Sequence, residues 1–313
     1  MAGVMAGTAI LSCMESSGRL KTITLTINND CNLQCPHCYL QYDNKSVVLS
    51  KSTISSIFKS DFEHLAIVGK EPLLNEKSLH ILEILTNQAK KLNKKVSIIT
   101  NGLGLSKVSS KLADNIDYID ISFDGGPLLY KNYRKGSFIK IIDGVNHIQN
   151  SSKVRLNALH NLNSVNINYI EDMMRIKDFG RFDSIMFSPY VDTVNDGINT
   201  VKSLPLNFII KKLSESDSFR NNSSSVLAVD LHHTDLNHCT KEDIIKMITD
   251  LDLQGKIILI DNNPLSFGII RVTFDDLVMS PYDSIHPSKY SYLHAKASES
   301  NLNELFTKML AAV

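Results

Sequence analysis

The amino-acid sequence predicts an α/β fold built around a parallel β-sheet. Apolar runs of strand length alternate with amphipathic stretches of helical length, which is the pattern of repeated βα units. With 313 residues, of which 43% are hydrophobic, the chain is large enough for an extensive core. This periodicity alone does not separate a partial barrel from a doubly wound sheet.

The elements of the first two thirds of the chain follow in order. We predict strands at residues 21–28, 64–68, 95–100, 117–122, 154–160 and 183–188. Helices between them are predicted at residues 51–60, 77–92, 105–113, 137–149 and 165–178. In the second of these helices, leucines at 79, 82 and 85 keep the spacing of one buried helical face.

The last third has a less regular pattern. Thr240 and Asp243 have the spacing of a capping box, which predicts the start of a helix. Apolar alternation on both sides of Asp275 and Asp276 predicts a hairpin. The elements expected here are helices near 206–214, 241–252 and 301–311, a strand at 226–231 and the hairpin at 268–282.

This order of elements suggests three parts of the chain. Residues 1–20 are expected to be a flexible or packed leader, because no basic segment precedes the small and apolar residues as it would in a signal peptide. Residues 21–215 are expected to form the α/β core. Residues 216–313 are expected to form an extension that caps this core.

Charge and hydropathy exclude two classes of partner. The 33 Lys and Arg residues balance the 33 Asp and Glu residues, so no net charge attracts nucleic acid or an anionic membrane. No apolar run approaches the length that spans a bilayer. We therefore expect neither nucleic acid nor a membrane as a partner.

Three cysteines, Cys31, Cys35 and Cys38, lie within eight residues directly after the first predicted strand. Three thiolates can hold three corners of a cubane iron–sulfur cluster and leave the fourth iron open. A structural zinc site usually needs a second cysteine pair, which this chain lacks, although zinc with His37 or a distant histidine and unliganded thiols remain alternatives. Five cysteines would leave one unpaired in a disulfide framework, so we expect a reducing, cytoplasmic location.

The spacing C-x3-C-x2-C after a strand resembles the signature of the radical S-adenosylmethionine (radical SAM) superfamily. Four later segments resemble this family in its own order: VGKEPLL at 68–74, TNG at 100–102, IDISFDG at 119–125 and YRKGSF at 133–138. In the first of them Lys70 stands where a second glycine is usual. The resemblance covers about residues 21–190 and implies a partial (β/α)6 TIM-like barrel with a C-terminal α+β extension.

The resemblance also implies cofactors and their contacts. The cysteines would hold a single [4Fe-4S] cluster whose open iron binds SAM, and reductive cleavage would give a 5′-deoxyadenosyl radical that takes hydrogen from a substrate carbon. His37 would pack beside the cluster. The implied contacts with SAM are Gly69 and Glu71 for the ammonium group, Ser122 and Asp124 for the ribose, Asn101 near the methionyl end, and Arg134 for the carboxylate.

These motifs share one position in the predicted fold. Ligands of parallel α/β proteins bind at the carboxyl ends of the strands, and the first four of these motifs lie at the ends of the first four predicted strands. We therefore expect them to converge on one rim of the sheet. Structural alternatives remain, because the segment Asp124-Gly125-Gly126 can be only a turn and Arg134 only a surface charge.

Cys239 is the candidate catalytic residue outside the cysteine loop. It precedes the predicted helix N-terminus at Thr240, where a thiol is exposed and a thiolate is favoured. Such a thiol could donate a hydrogen atom to a substrate radical and invert a stereocentre, as in radical SAM epimerases. The alternative is a buried free cysteine. His232, His233 and His238 are expected to contact substrate or solvent, Tyr282, His286 and Tyr290 to belong to a lid, and Cys13 has no predicted role.

The cysteine count also bears on the type of reaction. No cysteine follows Cys239, so no auxiliary cluster is expected. This favours a small-molecule substrate, such as a sugar, an aminoglycoside or an amino-acid-derived metabolite, and an electron donor such as flavodoxin or ferredoxin. Epimerisation is the leading subtype. The alternatives are dehydrogenation, decarboxylation, rearrangement, peptide modification, transfer of the aminocarboxypropyl or methyl group of SAM, and a non-enzymatic sensor.

Overall fold

The computed structural model describes residues 17–38, 49–191, 201–232, 234–261, 263–281 and 294–312. Several predicted features, namely Cys13, His233, Tyr282, His286, Tyr290 and most of the leader, lie outside these residues. Within them, Leu20 is buried and the Ser17 N–H donates a 2.7 Å hydrogen bond to the Ser266 carbonyl oxygen. The packed chain thus begins before residue 21.

The described residues form an α/β fold around one eleven-stranded sheet, which confirms the predicted fold class. In chain order the strands are β1 (Thr22–Thr26), β2 (His64–Val68), β3 (Lys95–Thr100), β4 (Tyr118–Ser122), β5 (Arg155–Leu162), β6 (Ser184–Pro189), β7 (Ser225–Asp230), β8 (Ile257–Ile260), β9 (Ile269–Val272), β10 (Leu277–Met279) and β11 (Ala295–Lys296). The sheet order is β11-β10-β9-β1-β2-β3-β4-β5-β6-β7-β8. Strands β1 to β9 pair in parallel, β10 and β11 pair antiparallel, and the sheet is open.

Helices connect the strands. They are α1 (Lys51–Lys59), α2 (Glu76–Lys91), α3 (Ser110–Ala113), α4 (Tyr130–Tyr133), α5 (Phe138–Ser151), α6 (Ile170–Met174), α7 (Leu206–Ser214), α8 (Asp217–Asn221), α9 (Lys241–Asp250) and α10 (Leu302–Ala311). Polar caps explain several of their starts; Thr240 and Asp243 form the predicted capping box of α9. None of the described helices combines the length and apolar composition that crossing a membrane requires.

The six strands predicted for the core are confirmed to within two residues at each end, but two helices were drawn too long. The stretch 105–113 is a 3-10 turn followed by α3, because Val108 is extended and the Ser109 hydroxyl caps a new helix. The stretch 165–178 is likewise α6 between two 3-10 turns. Helix α8 and strand β8 were not predicted, since each has five residues or fewer.

The C-terminal strands belong to the same sheet as the core. Strands β7 and β8 continue it beyond β6, while β9 returns to the opposite side and pairs with β1, Thr22 opposite Ile269. The predicted hairpin is β9 and β10, which pair antiparallel. Strand β1, which leads into the cysteine loop, is therefore an inner strand flanked by β2 and β9.

The two faces of the sheet differ in chemistry because side chains alternate along each strand. One face, with residues such as Ile23 and Leu65, joins the large apolar core that includes buried side chains of α2 and α5. The opposite face carries a polar row on three neighbouring strands. There Asn157 Nδ2 donates to Asp120 Oδ1 at 2.7 Å, and Ser184 Oγ donates to Asn157 Oδ1 at 2.8 Å.

Candidate functional site

The cysteine loop lies at the carboxyl end of β1 and is held by hydrogen bonds to sulfur. The Cys38 N–H donates to the Cys35 carbonyl oxygen at 3.1 Å and closes a turn. The Leu33 N–H lies 3.3 Å from Cys31 Sγ, and Asn101 Nδ2 lies 3.7 Å from the same sulfur. Asn101, at the end of β3, thus contacts the loop that follows β1.

The thiols of this loop are suited to a positively charged partner. Burial, with smaller contributions from the neighbouring Glu71, Cys35 and Cys38, raises the pKa of Cys31 to about 11 against the opposing hydrogen bond from the Leu33 N–H. Burial also raises the pKa of Cys35, against the opposing effect of Arg134. Iron provides the charge that deprotonates a coordinating thiol, so the donor set fits an iron–sulfur cluster. Among the described residues, no three His, Cys, Asp or Glu side chains are grouped closely enough to hold a metal ion.

Glu71 ties the ends of β2 and β3 together. Its side chain is buried; Oε1 accepts hydrogen bonds from the Leu73 N–H at 2.9 Å and from the Thr100 hydroxyl, and Oε2 accepts one from the Asn101 N–H at 2.7 Å. Burial raises the pKa of Glu71, and these hydrogen bonds oppose the rise. The carboxylate thus accepts three hydrogen bonds from protein donors.

Gly69 lies against Asn28, a residue that sequence reasoning did not select. Asn28 Nδ2 donates to the Glu71 carbonyl oxygen and to Ser78 Oγ, both at 2.8 Å, while its buried Oδ1 has no hydrogen-bond partner among the described residues. A Cβ atom on Gly69 would come 3.1 Å from this Oδ1. A glycine thus allows the close approach of this segment to β1, and Lys70 beside it is half-buried.

The buried carboxylate of Asp124 contacts three other residues. Its backbone is left-handed, with φ of 51°, which is uncommon for a residue other than glycine. Oδ1 accepts from the Asn161 N–H at 2.6 Å; Oδ2 contacts His37 Nε2 at 3.0 Å and accepts from an Arg134 N–H. Although burial opposes ionisation, Arg134 and His37 hold the pKa of this carboxyl well below its usual range.

Arg134 is buried as well and is not the surface charge of the alternative interpretation. Burial lowers its pKa, but Cys35 and Asp124 outweigh that effect and hold the pKa well above the usual value. One guanidinium N–H is committed to Asp124, whereas Nε has no hydrogen-bond partner among the described residues. The guanidinium thus places a positive charge beside both the cysteine loop and the end of β4.

Three asparagines at and after the end of β5 also belong to this region, and the sequence analysis did not identify them. They are Asn161, Asn163 and Asn166. Asn166 Nδ2 donates to the Asp124 carbonyl oxygen at 3.0 Å and to the Asn161 carbonyl oxygen at 2.8 Å. Asn163 Nδ2 donates to the Tyr133 hydroxyl at 2.8 Å. The available signal was their repetition directly after a strand, at the rim where the other motifs lie.

Ser122 and Asp120 share the polar face of β4. Ser122, the last residue of the strand, is half-buried. Asp120 lies two residues before Ser122 on the same strand and is fully buried. Its Oδ2 has no hydrogen-bond partner among the described residues. Burial raises the pKa of Asp120 to about 7, against the opposing hydrogen bond from Asn157.

Cys239 lies apart from the cysteine loop in the sheet order, because five strands separate β1 from β7. It is half-buried in the loop after β7, packs against the apolar core and receives a 3.7 Å contact from Asn207 Nδ2 of α7. His232 and His238 are exposed. The structure thus brings together the loop, Asn101, Glu71, Asp124 and Arg134, while the contacts of Cys239 are with the helix layer.

Sequence comparison assigns this arrangement to a family. Residues 25–176 match the model of the radical SAM superfamily. A protein of Methanocaldococcus jannaschii named probable GTP 3′,8-cyclase is 29% identical over 171 residues, which cover 51% of this chain and 56% of that protein. The chain thus matches little more than half the length of this curated relative.

Two solved structures share the fold. Streptococcus suis SuiB bound to S-adenosylmethionine superposes with a TM-score of 0.64 at 11% identity, covering 96% of this chain and 68% of that one. The structure of anSMEcpe with bound AdoMet and a peptide gives a TM-score of 0.57 at 17% identity, covering 92% of this chain and 80% of that one. The matched segment, residues 25–176, contains the three cysteines and every rim motif, and it is a domain of the radical SAM superfamily, whose cofactors are a [4Fe-4S] cluster and SAM.

Proposed function

We propose that this radical SAM enzyme cleaves SAM reductively and abstracts a hydrogen atom from a small-molecule substrate. When bound, the cluster supplies the electron that breaks a carbon–sulfur bond of SAM and so generates the hydrogen-abstracting radical. The observation that carries the proposal is the convergence of the cysteine loop with Glu71, Asn101 and Asp124 at one rim of the sheet. A parallel α/β fold binds its ligands at that rim.

The residues of this chain would divide the work as follows. Cys31, Cys35 and Cys38 would bind the cluster, and Asn101 would hold the loop through its contacts with Cys31 Sγ and, at 2.8 Å, with Asn32 Oδ1. The SAM contacts that we propose are the backbone from Gly69 to Glu71, the Ser122 hydroxyl, and the Arg134 guanidinium for the SAM carboxylate. An external flavodoxin- or ferredoxin-type protein remains the proposed electron donor.

The substrate is the least constrained part of the proposal. Because the curated relative is named a GTP 3′,8-cyclase, GTP is the first compound to test. That likeness covers 51% of this chain and 56% of the relative. We propose that residues 216–313 contribute to the substrate pocket as an extension of the core.

Epimerisation through Cys239 is a second candidate function. In its favour, the thiol is half-buried in the loop after β7, at the same end of the parallel sheet as the other motifs. Its contact with Asn207 and its packing on the apolar core instead favour a structural role. Dehydrogenation, decarboxylation, rearrangement, peptide modification and group transfer from SAM need no such thiol, so a Cys239 variant separates them from epimerisation.

The test is anaerobic reconstitution with iron, sulfide, SAM and dithionite, followed by nucleoside analysis. The proposal predicts 5′-deoxyadenosine from the wild-type protein and none from Cys35→Ala. Methylthioadenosine as the main nucleoside would instead indicate aminocarboxypropyl transfer, S-adenosylhomocysteine would indicate methyl transfer, and no nucleoside with tetrahedral zinc bound would contradict the proposal.

Substrate is then sought with GTP and with metabolite extracts in deuterated water. Cys239→Ala should still cleave SAM under all the hypotheses. Epimerisation predicts that this variant stops forming a deuterated, stereochemically altered product, whereas turnover equal to that of the wild type would exclude a role for this thiol.

A further inference from the structure

Asp124 presents both of its carboxylate oxygens to the protein. Oδ1 accepts from the Asn161 N–H at 2.6 Å, while Oδ2 contacts His37 Nε2 at 3.0 Å and an N–H of Arg134. Its side chain is 4% exposed, and its backbone holds a left-handed φ of 51°. A strained backbone that aims a buried carboxylate at three protein donors indicates a specific role for the side chain.

His37 connects this carboxylate to the cysteine loop. It lies between Cys35 and Cys38, inside the turn closed by the Cys38 N–H. Its ring stacks on Tyr133 with centroids 5.1 Å apart and planes within 2°, while its edge reaches Asp124. The ring is therefore fixed on one face and at one edge, and the turn that carries two sulfurs is fixed with it.

The partners of His37 are themselves anchored. The Tyr133 hydroxyl accepts a 2.8 Å hydrogen bond from Asn163 Nδ2, and the Asp124 carbonyl oxygen accepts one from Asn166 Nδ2 at 3.0 Å. The cysteine loop after β1 is thus joined to the ends of β4 and β5, three and four strands away in the sheet.

We propose that Asp124 and His37 are positioning residues for the cluster, and that Asp124 fixes the cysteine loop through His37 instead of binding the ribose of SAM. This inference rests on the proposed function only in that the three cysteines bind a cluster. Groups that orient the ligands of a metal site typically change its affinity by roughly 10- to 100-fold when they are removed.

The test compares cluster retention in the full-length protein. His37→Phe keeps an aromatic ring on Tyr133 but loses the contact with Asp124; His37→Ala loses both; Asp124→Asn keeps the shape and removes the charge. His80→Phe, at an exposed position of α2, is the matched control. After anaerobic reconstitution, iron release to a chelator and the electron paramagnetic resonance spectrum of the reduced cluster are measured with SAM or with methionine, which lacks ribose.

We expect roughly tenfold faster iron release in His37→Ala, smaller increases of similar size in His37→Phe and Asp124→Asn, and no change in the control. The double variant of His37→Phe and Asp124→Asn should release iron no faster than Asp124→Asn. In the variants that release iron faster, the spectral changes caused by SAM and by methionine should weaken equally. A defect confined to SAM, with normal iron release, would restore the ribose role and overturn the inference.

The two proposals fail in different ways. Wild-type iron release in all the single variants would overturn the positioning role and leave the proposed activity intact. A wild-type protein that binds the cluster but releases no 5′-deoxyadenosine would overturn the activity alone. If Asp124→Asn does not fold, the comparison of His37→Phe with His37→Ala still separates stacking from the carboxylate contact, and wild-type retention in His37→Phe, which lacks that contact, would contradict the inference.

Discussion

The Asn101 N–H donates a 2.7 Å hydrogen bond to Oε2 of Glu71, so the first residue after β3 is fastened to the buried carboxylate that follows β2. The side chain of Asn101 in turn contacts Cys31 Sγ. One chain of contacts thus runs from the second strand through the third to the cysteine loop. Removing a hydrogen-bond acceptor from Glu71 should therefore affect both the free energy of unfolding and the position of the cysteine loop.

Glu71→Gln should lower the free energy of unfolding by about 3 kcal/mol, because the amide NH₂ group faces N–H or O–H donors that then lack an acceptor. Chemical unfolding of the apoprotein measures this change. Glu83→Gln, exposed on α2, should stay within about 0.5 kcal/mol of the wild type. Equal stability of the two variants would contradict the structural role of Glu71.

Acid should destabilise the protein partly through His160, whose ring lies between Phe123 and Phe187 with no hydrogen-bond partner among the described residues. Burial lowers its pKa to about 4, so below pH 6.5 the unfolded chain binds a proton that the folded chain does not, and stability falls toward pH 4. Between pH 8 and pH 5, the free energy of unfolding of His160→Phe should fall by about 2 kcal/mol less than that of the wild type. The control variant His80→Gln, at an exposed position, should lose as much stability between these pH values as the wild type.

Asp120 has the opposite dependence on pH. Because burial raises its pKa to about 7, the unfolded chain ionises from about pH 4 while the folded chain keeps its proton, so the contribution to stability falls up to about pH 7. The stability of Asp120→Asn relative to wild type should therefore rise by about 2 to 3 kcal/mol between pH 5 and pH 8. Asp143→Asn, exposed on α5, is the control. A constant difference between variant and wild type would show that Asp120 is not buried in its acid form.

Gly126 follows the Asp124 turn and touches α6. A Cβ atom there would come 1.8 Å from the Asp172 carbonyl oxygen, a contact that requires the backbone to move. Gly126→Ala should therefore cost at least about 3 kcal/mol, whereas Gly18→Ala, with nothing within 4 Å of its Cβ, should have little effect. Thermal unfolding of the two variants gives the comparison, and similar melting temperatures would contradict the close packing.

Sequence patterns located most of the sheet because buried parallel strands are continuous apolar runs. The run from His64 to Val68 is identified to the residue, and the same logic finds the cysteine loop and the motifs at the strand ends. Strand β8 was missed because four apolar residues, Ile257–Ile260, carry no periodic signal of their own. Its place in the sheet depends on pairing with β7, which is a long-range interaction.

The candidate site could likewise be predicted only in part from local sequence. The family resemblance identified Asp124 and Arg134 as SAM contacts, but it could not show that they contact each other or that His37 shares the carboxylate. Those contacts depend on the left-handed backbone at Asp124 and on a stacked ring that comes from a different loop. Local sequence therefore predicts which residues reach the rim, and tertiary packing decides their partners.

The pairing of β1 with β9 has a consequence for how the molecule is made. Ile23 of β1 lies opposite Ile270 of β9. Strand β1 can therefore be hydrogen-bonded on both of its sides only after β9 has been translated. Until then, the strand beside the future cluster presents a bare edge that can pair with other chains. Nascent or shortened polypeptides that end before β9 should thus aggregate.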